Sequence, residues 1–107
     1  MSDLHNKKCL ACNGDIPKFS DKEIKEYLTK IDDWSFKNNF IVKEYKFKNF
    51  ANTLEFVNQI GDIAEEENHH PNIEFTWGYL KISIQTHKIN GVCENDFILA
   101  AKIDQIS

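Results

Sequence analysis

Two kinds of hydrophobic spacing alternate along the chain and predict its helices and strands. Apolar residues recur three or four positions apart, as on one face of a helix, in three segments: about 21 to 31, 50 to 67 and 94 to 106. Elsewhere they alternate with polar residues, as in strands with one buried face: about 34 to 36, 40 to 47, 72 to 77 and 80 to 85. The predicted order of elements is therefore α-β-β-α-β-β-α.

Local signals mark several boundaries of these elements. Ser20 followed by Glu23 has the spacing of a capping box and predicts the start of the first helix. The turn-forming run 37–39 joins the first two strands into a hairpin. Gly78 and Tyr79 are the predicted turn of the second hairpin.

The long central helix carries the most regular apolar stripe, which we expect to face the core. Its members follow an i, i+4, i+7 pattern: Phe50, Leu54, Val57, Ile60 and Ala64.

This order predicts an α+β fold, a two-layer sandwich in which a four-stranded antiparallel sheet carries the helices on one face. The other sheet face then stays partly open, which favours a homodimer or a homotetramer. Residues 1–19 are expected to form a flexible N-terminal arm with a CxxC motif, followed by one domain over 20–107.

Charge and hydropathy exclude several classes of function. The formal net charge is −4 and the pI is about 5.5, which disfavours nucleic acid as the main ligand. No apolar run approaches the ~18 residues of a membrane span. The first residues lack the apolar region of a signal peptide. We therefore expect a cytoplasmic protein that binds neither nucleic acid nor membranes.

Histidines are the strongest chemical signal in the chain. His69 and His70 lie at the predicted end of the central helix, and His87 lies at the predicted end of a strand, on its polar face. Because Pro71 disfavours a helical conformation at His70, the chain should leave the helix at this pair. A helix end and a strand end can meet around one pocket. Spacing alone leaves two chemistries open, zinc binding and acid–base catalysis.

At these positions the sequence resembles the pterin-4a-carbinolamine dehydratase family. The shared motif is an acidic residue, His-His-Pro, an aromatic residue, a histidine on the following hairpin and a later aspartate. These positions are Glu65, His69, His70, Pro71, Trp77, His87 and Asp96. The similarity extends over about residues 20 to 106 and includes Trp34, and the family's fold has the same order of elements.

The resemblance implies a hydro-lyase that dehydrates 4a-hydroxytetrahydropterin to quinonoid dihydropterin, with no metal or organic cofactor. That substrate is the by-product of aromatic amino-acid hydroxylases, so the reaction would serve tetrahydrobiopterin recycling. His69 and His87 are expected to transfer the protons, and His70 completes the catalytic set mainly by binding and orienting the pterin. Asp96 is expected to orient His87 or another imidazole. The substrate contacts implied are Glu65, His70, Pro71, Trp77 and Asp96.

The chain departs from the family pattern at two positions. Cys93 stands where the family often has the threonine that caps the last helix, so the start of that helix is expected to be less well fixed. Trp77 stands where a tyrosine is common, which keeps a flat ring and changes its polar group.

Two other functions remain open. Cys9 and Cys12 form half of a zinc knuckle, which His5 or the histidine cluster could complete. Some members of the family act as dimerisation cofactors for transcription factors, so a non-catalytic interaction protein is the second alternative.

Overall fold

The structure is a computed structural model that describes residues 3–9 and 17–107. Three helices and four strands follow one another in the predicted order: α1 Asp21–Leu28, β1 Ser35–Lys37, β2 Phe40–Lys46, α2 Phe50–Glu67, β3 Asn72–Thr76, β4 Tyr79–Ile84 and α3 Glu94–Gln105. No helix in the described ranges is long and apolar enough to cross a membrane.

The four strands form one antiparallel sheet in the order β1-β2-β4-β3, which confirms the predicted α+β fold. In the β2–β4–β3 register, Ile82 lies between Lys43 and Ile73. The inward residues of β4 (Leu80, Ile82 and Ile84) are fully buried. β4 is therefore the central strand of the apolar layer.

Each hairpin turn has its own cause. Asn38 and Asn39 have φ values of 51° and 70°, a left-handed conformation that asparagine tolerates, and they close the first hairpin as expected. The second turn lies at Trp77 and Gly78, one residue earlier than predicted, so Trp77 is in a turn and not in a strand. A Cβ at Gly78 would lie 2.8 Å from the Phe47 carbonyl oxygen, and only glycine fits there.

The capping box of α1 is present as predicted. Glu23 N–H donates to Ser20 Oγ at 3.3 Å, and Ser20 N–H donates to Glu23 Oε1 at 2.9 Å. The helix ends at Leu28, three residues before the predicted end. The chain is drawn onto α3 there, because Asp32 N–H donates to Asp104 Oδ2 at 2.9 Å.

The buried face of α2 differs from the predicted stripe. Phe50 and Leu54 are 46% and 39% exposed, whereas Ile60 and Ala64 are buried as predicted. The full set of buried residues is Thr53, Phe56, Ile60, Ala64 and Glu67. Thr53 belongs to it because its hydroxyl donates to the Asn49 and Trp77 carbonyl oxygens at 2.9 and 3.1 Å. An apolar pattern does not detect a polar residue whose hydrogen bonds are satisfied inside.

Helix α3 lies at the centre of the molecule and is buried on nearly all sides. Its buried residues are Asn95, Asp96, Phe97, Ile98, Leu99, Ala100, Ala101 and Ile103. Residues 3–9, which belong to the expected N-terminal arm, pack on it, while residues 10–16 of that arm lie outside the described residues. Leu4 begins a 3-10 turn and is 4% exposed, and Lys102 Nζ donates to the His5 carbonyl oxygen at 2.8 Å.

Two alanine variants test the observed orientation of α2. We expect Ile60→Ala to lower the free energy of unfolding by about 2–5 kcal/mol, because it leaves a cavity at a fully buried site. Leu54→Ala removes a similar side chain from an exposed position and should cost less than about 1 kcal/mol. Urea denaturation measures both values. A comparable loss for Leu54→Ala would contradict this orientation.

Candidate functional site

The end of α2 directs His69 towards α3. Asn68 has a φ of 52°, the left-handed conformation in which many helices end, and asparagine adopts it more readily than most residues. His69 N–H then donates to the Ala64 carbonyl oxygen at 3.1 Å, which closes the last turn. The chain leaves the helix at the double histidine, and Pro71 leads into β3.

His69 is held by a buried carboxylate. Its Nε2 lies 2.7 Å from Asp96 Oδ1, and the two side chains are 14% and 0% exposed. The other oxygen, Oδ2, accepts from the Thr86 hydroxyl at 2.9 Å and from Cys93 N–H at 2.8 Å. Three groups surround the Asp96 carboxyl group, and an ionised carboxylate can accept a hydrogen bond from each of them. His69 is then a donor, with its proton on Nε2. The imidazole is thereby fixed in tautomer and orientation.

Asp96 also holds the start of α3. Cys93 is the N-cap residue, as expected, and Asp96 is three residues into the helix. The carboxylate accepts the Cys93 N–H, a group that no bond within the helix satisfies. The cysteine at this position therefore does not leave the helix start unsupported, contrary to the expectation.

His70 has a different environment from its neighbour. Its Nε2 lies within hydrogen-bond distance of Glu65 Oε2, and the side chains are 55% and 79% exposed. An exposed pair of this kind is weak and mobile compared with a buried one. The two adjacent histidines thus differ, since one is fixed in the interior and the other is accessible at the surface.

His87 lies beyond the strand on which it was expected. β4 ends at Ile84, and His87 opens a 3-10 turn with an exposed side chain whose ring centre lies 6.3 Å from that of Phe40. The prediction that His87 lies on the polar face of the strand is wrong, because β4 ends before it. Gln85, which lies between, is buried and donates to the Asn39 carbonyl oxygen at 3.2 Å. Thr86 N–H donates to the Gly91 carbonyl oxygen at 2.9 Å and turns the chain away from the sheet.

Thr86 connects the His87 turn to the buried pair. Its hydroxyl donates to Asp96, which contacts His69, and His87 is the next residue along the chain. The end of α2, the loop after β4 and the start of α3 therefore meet at one carboxylate. Sequence analysis missed Thr86, and the available signal was a hydroxyl residue between the strand pattern and the histidine.

The structure does not bring Trp77 to the histidines within one chain. Asn72 pairs with Ser83 and Thr76 pairs with Tyr79, so Trp77 lies at the opposite end of the second hairpin. Five residues of strand separate the two ends by about 16 Å. The Trp77 side chain is 65% exposed.

Glu67 is a second residue that sequence analysis missed. Its side chain is 1% exposed, whereas that of the neighbouring Glu66 is 70% exposed. Glu67 Oε1 accepts from Cys9 N–H at 2.9 Å, and Oε2 lies 3.7 Å from Lys102 Nζ. Its position seven residues after Ile60 is the signal that places it on the buried face.

The proposed metal site at Cys9 and Cys12 is only partly within the described residues, because Cys12 lies outside them. Among residues 3–9 and 17–107, no group of three His, Cys, Asp or Glu is placed to hold a metal ion. The Cys9 thiol donates to the Asn95 carbonyl oxygen at 3.5 Å. Burial raises the pKa of Cys9 to about 12, and the charges of Glu67 and Asp96 add to the effect. Burial therefore disfavours the thiolate form of Cys9, which is the form that metals bind.

Comparison with known proteins gives consistent likenesses. Residues 17–106 match the family model described as pterin 4 alpha carbinolamine dehydratase. A Rickettsia canadensis protein that carries this activity as its provisional name is 47% identical over 106 residues, or 97% of each chain. The solved structure of a transcriptional coactivator/pterin dehydratase from Brucella melitensis has a TM-score of 0.79 and 30% identity, over 83% of this chain and 97% of that one.

A second solved structure is a pterin dehydratase-like protein identified as a RuBisCO assembly factor in the alpha-carboxysome. It has a TM-score of 0.57 and 26% identity, over 68% of this chain and 84% of that one. The same fold is therefore found in a protein identified as an assembly factor.

Substitution of Asp96 should destabilise the protein more than substitution of another polar residue of this cluster. We expect Asp96→Asn to lower the free energy of unfolding by about 1–3 kcal/mol, because one buried donor then faces an amide NH₂. Thr86→Val keeps the shape of the side chain and removes one donor only, so about 0.5–1.5 kcal/mol is expected. Urea denaturation measures both. Equal losses would contradict the central position of the carboxylate.

The Cys9 thiol should react slowly in the folded protein. In Cys12→Ser, we expect iodoacetamide at pH 8 to alkylate Cys9 at least about ten times more slowly than in urea-unfolded protein. The pKa of Cys9 rises from 9.0 to about 12 on folding, so ionisation of the thiol disfavours the packing of residues 3–9 against α2 and α3. This packing is then unaffected below about pH 9 and weakens as the pH rises towards 12. Mass spectrometry follows the label, and equal rates at pH 8 would contradict this packing.

Proposed function

Because this chain belongs to the pterin 4 alpha carbinolamine dehydratase family, we propose that it dehydrates 4a-hydroxytetrahydropterin to quinonoid dihydropterin. The observation that carries the proposal is the buried bond between His69 and Asp96, one residue from an exposed histidine. A fixed imidazole beside accessible imidazoles suits proton transfer to and from a bound ring.

The reaction needs two proton transfers and no change of oxidation state. The bond between C4a and the hydroxyl oxygen breaks as the lone pair of the neighbouring ring nitrogen forms a carbon–nitrogen double bond. The departing hydroxyl accepts one proton and leaves as water, and the ring system loses one proton. One group must act as the acid and one as the base.

We assign His69 and His87 to these two transfers. Asp96 occupies Nε2 of His69, so Nδ1 is the ring nitrogen left to exchange a proton with the substrate. The carboxylate stabilises the imidazolium that forms when His69 accepts a proton. His87 is exposed in the turn that follows Thr86, where its imidazole is accessible to a ligand.

His70 is proposed to bind and orient the pterin with Glu65 and Pro71. Its exposed imidazole pairs with the exposed Glu65 carboxylate, so both groups are available to a ligand with ring N–H and carbonyl groups. Trp77 has no place in this site within one chain, since it lies at the far end of the hairpin.

The wider setting is part of the same proposal. The substrate would come from an aromatic amino-acid hydroxylase in the cytoplasm, and the product would be reduced again in tetrahydrobiopterin recycling. The enzyme would work as a homodimer or homotetramer without a cofactor. The exposed pair Phe50 and Phe75, with ring centres 6.0 Å apart, supports an oligomer because such apolar groups favour burial.

A second candidate function is that of a non-catalytic assembly or interaction protein. The likeness to a pterin dehydratase-like assembly factor supports it. Retention of His69, His70 and His87 favours catalysis, and the two functions are compatible. Measured turnover distinguishes a catalytic protein from one that only binds partners.

The catalytic assignment predicts large losses in two single variants. We expect His69→Ala and His87→Ala each to lower kcat/KM for 4a-hydroxytetrahydropterin by about 10²–10⁴, the usual contribution of a general acid or base. His70→Ala should act mainly through a higher KM. Ultraviolet spectroscopy follows the decay of the substrate in metal-free buffer.

His5→Ala is the matched control, because His5 is the remaining histidine and lies outside the proposed site. Its contact with Lys102 is made by its backbone carbonyl oxygen, which the substitution keeps. The rate of this variant should equal that of the wild type. Wild-type decay no faster than in buffer would reject the dehydratase proposal and favour the interaction protein.

A further inference from the structure

Residues 3–9, which we call the N-terminal clamp, span the two helices that carry the His69–Asp96 pair. His69 follows the end of α2, and Asp96 lies in the first turn of α3. The bond between them therefore depends on how the end of one helix sits against the start of the other. The clamp contacts both ends.

On the α2 side, the clamp is bound by Glu67. Cys9 N–H donates to Glu67 Oε1 at 2.9 Å, and only Asn68 separates Glu67 from His69. The Glu67 side chain is 1% exposed, so its charge is removed from water and depends on its partners. Lys102 Nζ at 3.7 Å and Lys8 Nζ at 3.9 Å provide the opposite charge.

On the α3 side, the clamp makes three polar contacts. The Cys9 thiol donates to the carbonyl oxygen of Asn95, the residue before Asp96, at 3.5 Å. Lys7 Nζ lies 3.0 Å from Glu94 Oε2 at the first residue of the helix. Lys102 Nζ donates to the His5 carbonyl oxygen at 2.8 Å. Leu4 anchors the segment in the core.

Lys102 links the clamp to α2. Its ammonium group contacts both the clamp, at the His5 carbonyl oxygen, and α2, at the Glu67 carboxylate. Three segments of the chain therefore share one pair of charges, of which Glu67 is buried and Lys102 is partly buried. Separation of any of them would leave a desolvated charge without its partners, which is strongly unfavourable.

We propose that the clamp and Glu67 are positioning elements that keep His69 and Asp96 at bonding distance. They touch no substrate and act through the imidazole. Displacement of a catalytic group by about 1 Å can cost two orders of magnitude in rate, so a small shift between the helix ends has a measurable effect. The kinetic part of this inference rests on the proposed dehydratase function, whereas the geometric part does not.

The test changes one hydrogen bond in the full-length chain. Cys9→Pro removes the N–H that Glu67 accepts, while Cys9→Ala keeps it and removes only the thiol. Glu67→Gln removes the buried charge, and Glu66→Gln is its control because that side chain is 70% exposed. Proton NMR observes the His69 Nε2–H resonance, which a bond to a buried carboxylate protects from exchange with water. Circular dichroism verifies the fold.

We expect faster exchange of the His69 Nε2–H proton in Cys9→Pro and Glu67→Gln, and a smaller increase in Cys9→Ala, which loses only the thiol contact with Asn95. Glu66→Gln should cause no change, because its ion pair with Lys8 is exposed. Cys9→Pro and Glu67→Gln should also show kcat lowered about tenfold, an altered pH dependence of kcat and a KM within about twofold of the wild type. If Cys9→Pro does not fold, the Glu67→Gln variant alone tests the proposal. An unchanged His69 resonance in folded variants would overturn the clamp. An inactive wild type would reject the dehydratase function alone, because the resonance tests the clamp independently.

Discussion

A carboxylate buried away from water at the start of α3 accepts hydrogen bonds from three separate parts of the chain. Asp96 receives the Cys93 N–H within its own helix, the Thr86 hydroxyl from the preceding loop and the His69 imidazole from the end of α2. A desolvated charge is tolerated only when its partners are in place. One group therefore ties together the start of α3, the loop after β4 and the imidazole of His69.

Sequence patterns predicted the elements whose causes are local. The bounds of α2, the capping box at Ser20 and the asparagine turn of the first hairpin depend on residues within a few positions of each other. The second turn and the buried face of α2 depend instead on distant contacts. Gly78 is required by the Phe47 carbonyl oxygen, and Thr53 is buried because carbonyl oxygens accept its hydroxyl. A pattern of apolar residues contains neither contact.

Predictions about the candidate site also succeeded for local features and failed for distant contacts. The spacing of the histidines and the break at Pro71 indicated where the chain leaves α2. Which imidazole Asp96 would contact was left open, because the answer depends on how the end of α2 meets α3. Glu67 was not predicted as a buried residue, and the tertiary structure distinguishes it from its exposed neighbours Glu65 and Glu66. The roles of these residues in catalysis remain a proposal.

The central position of α3 also has a consequence for biosynthesis. It is the last element in chain order, yet its side chains fill the middle of the core and its surface receives the segment around Leu4. While a ribosome is still synthesising residues 94–105, the sheet and α2 lack the largest part of the apolar surface that covers them in the folded protein. We therefore expect the nascent chain to stay unfolded, and open to chaperones, until this helix has emerged.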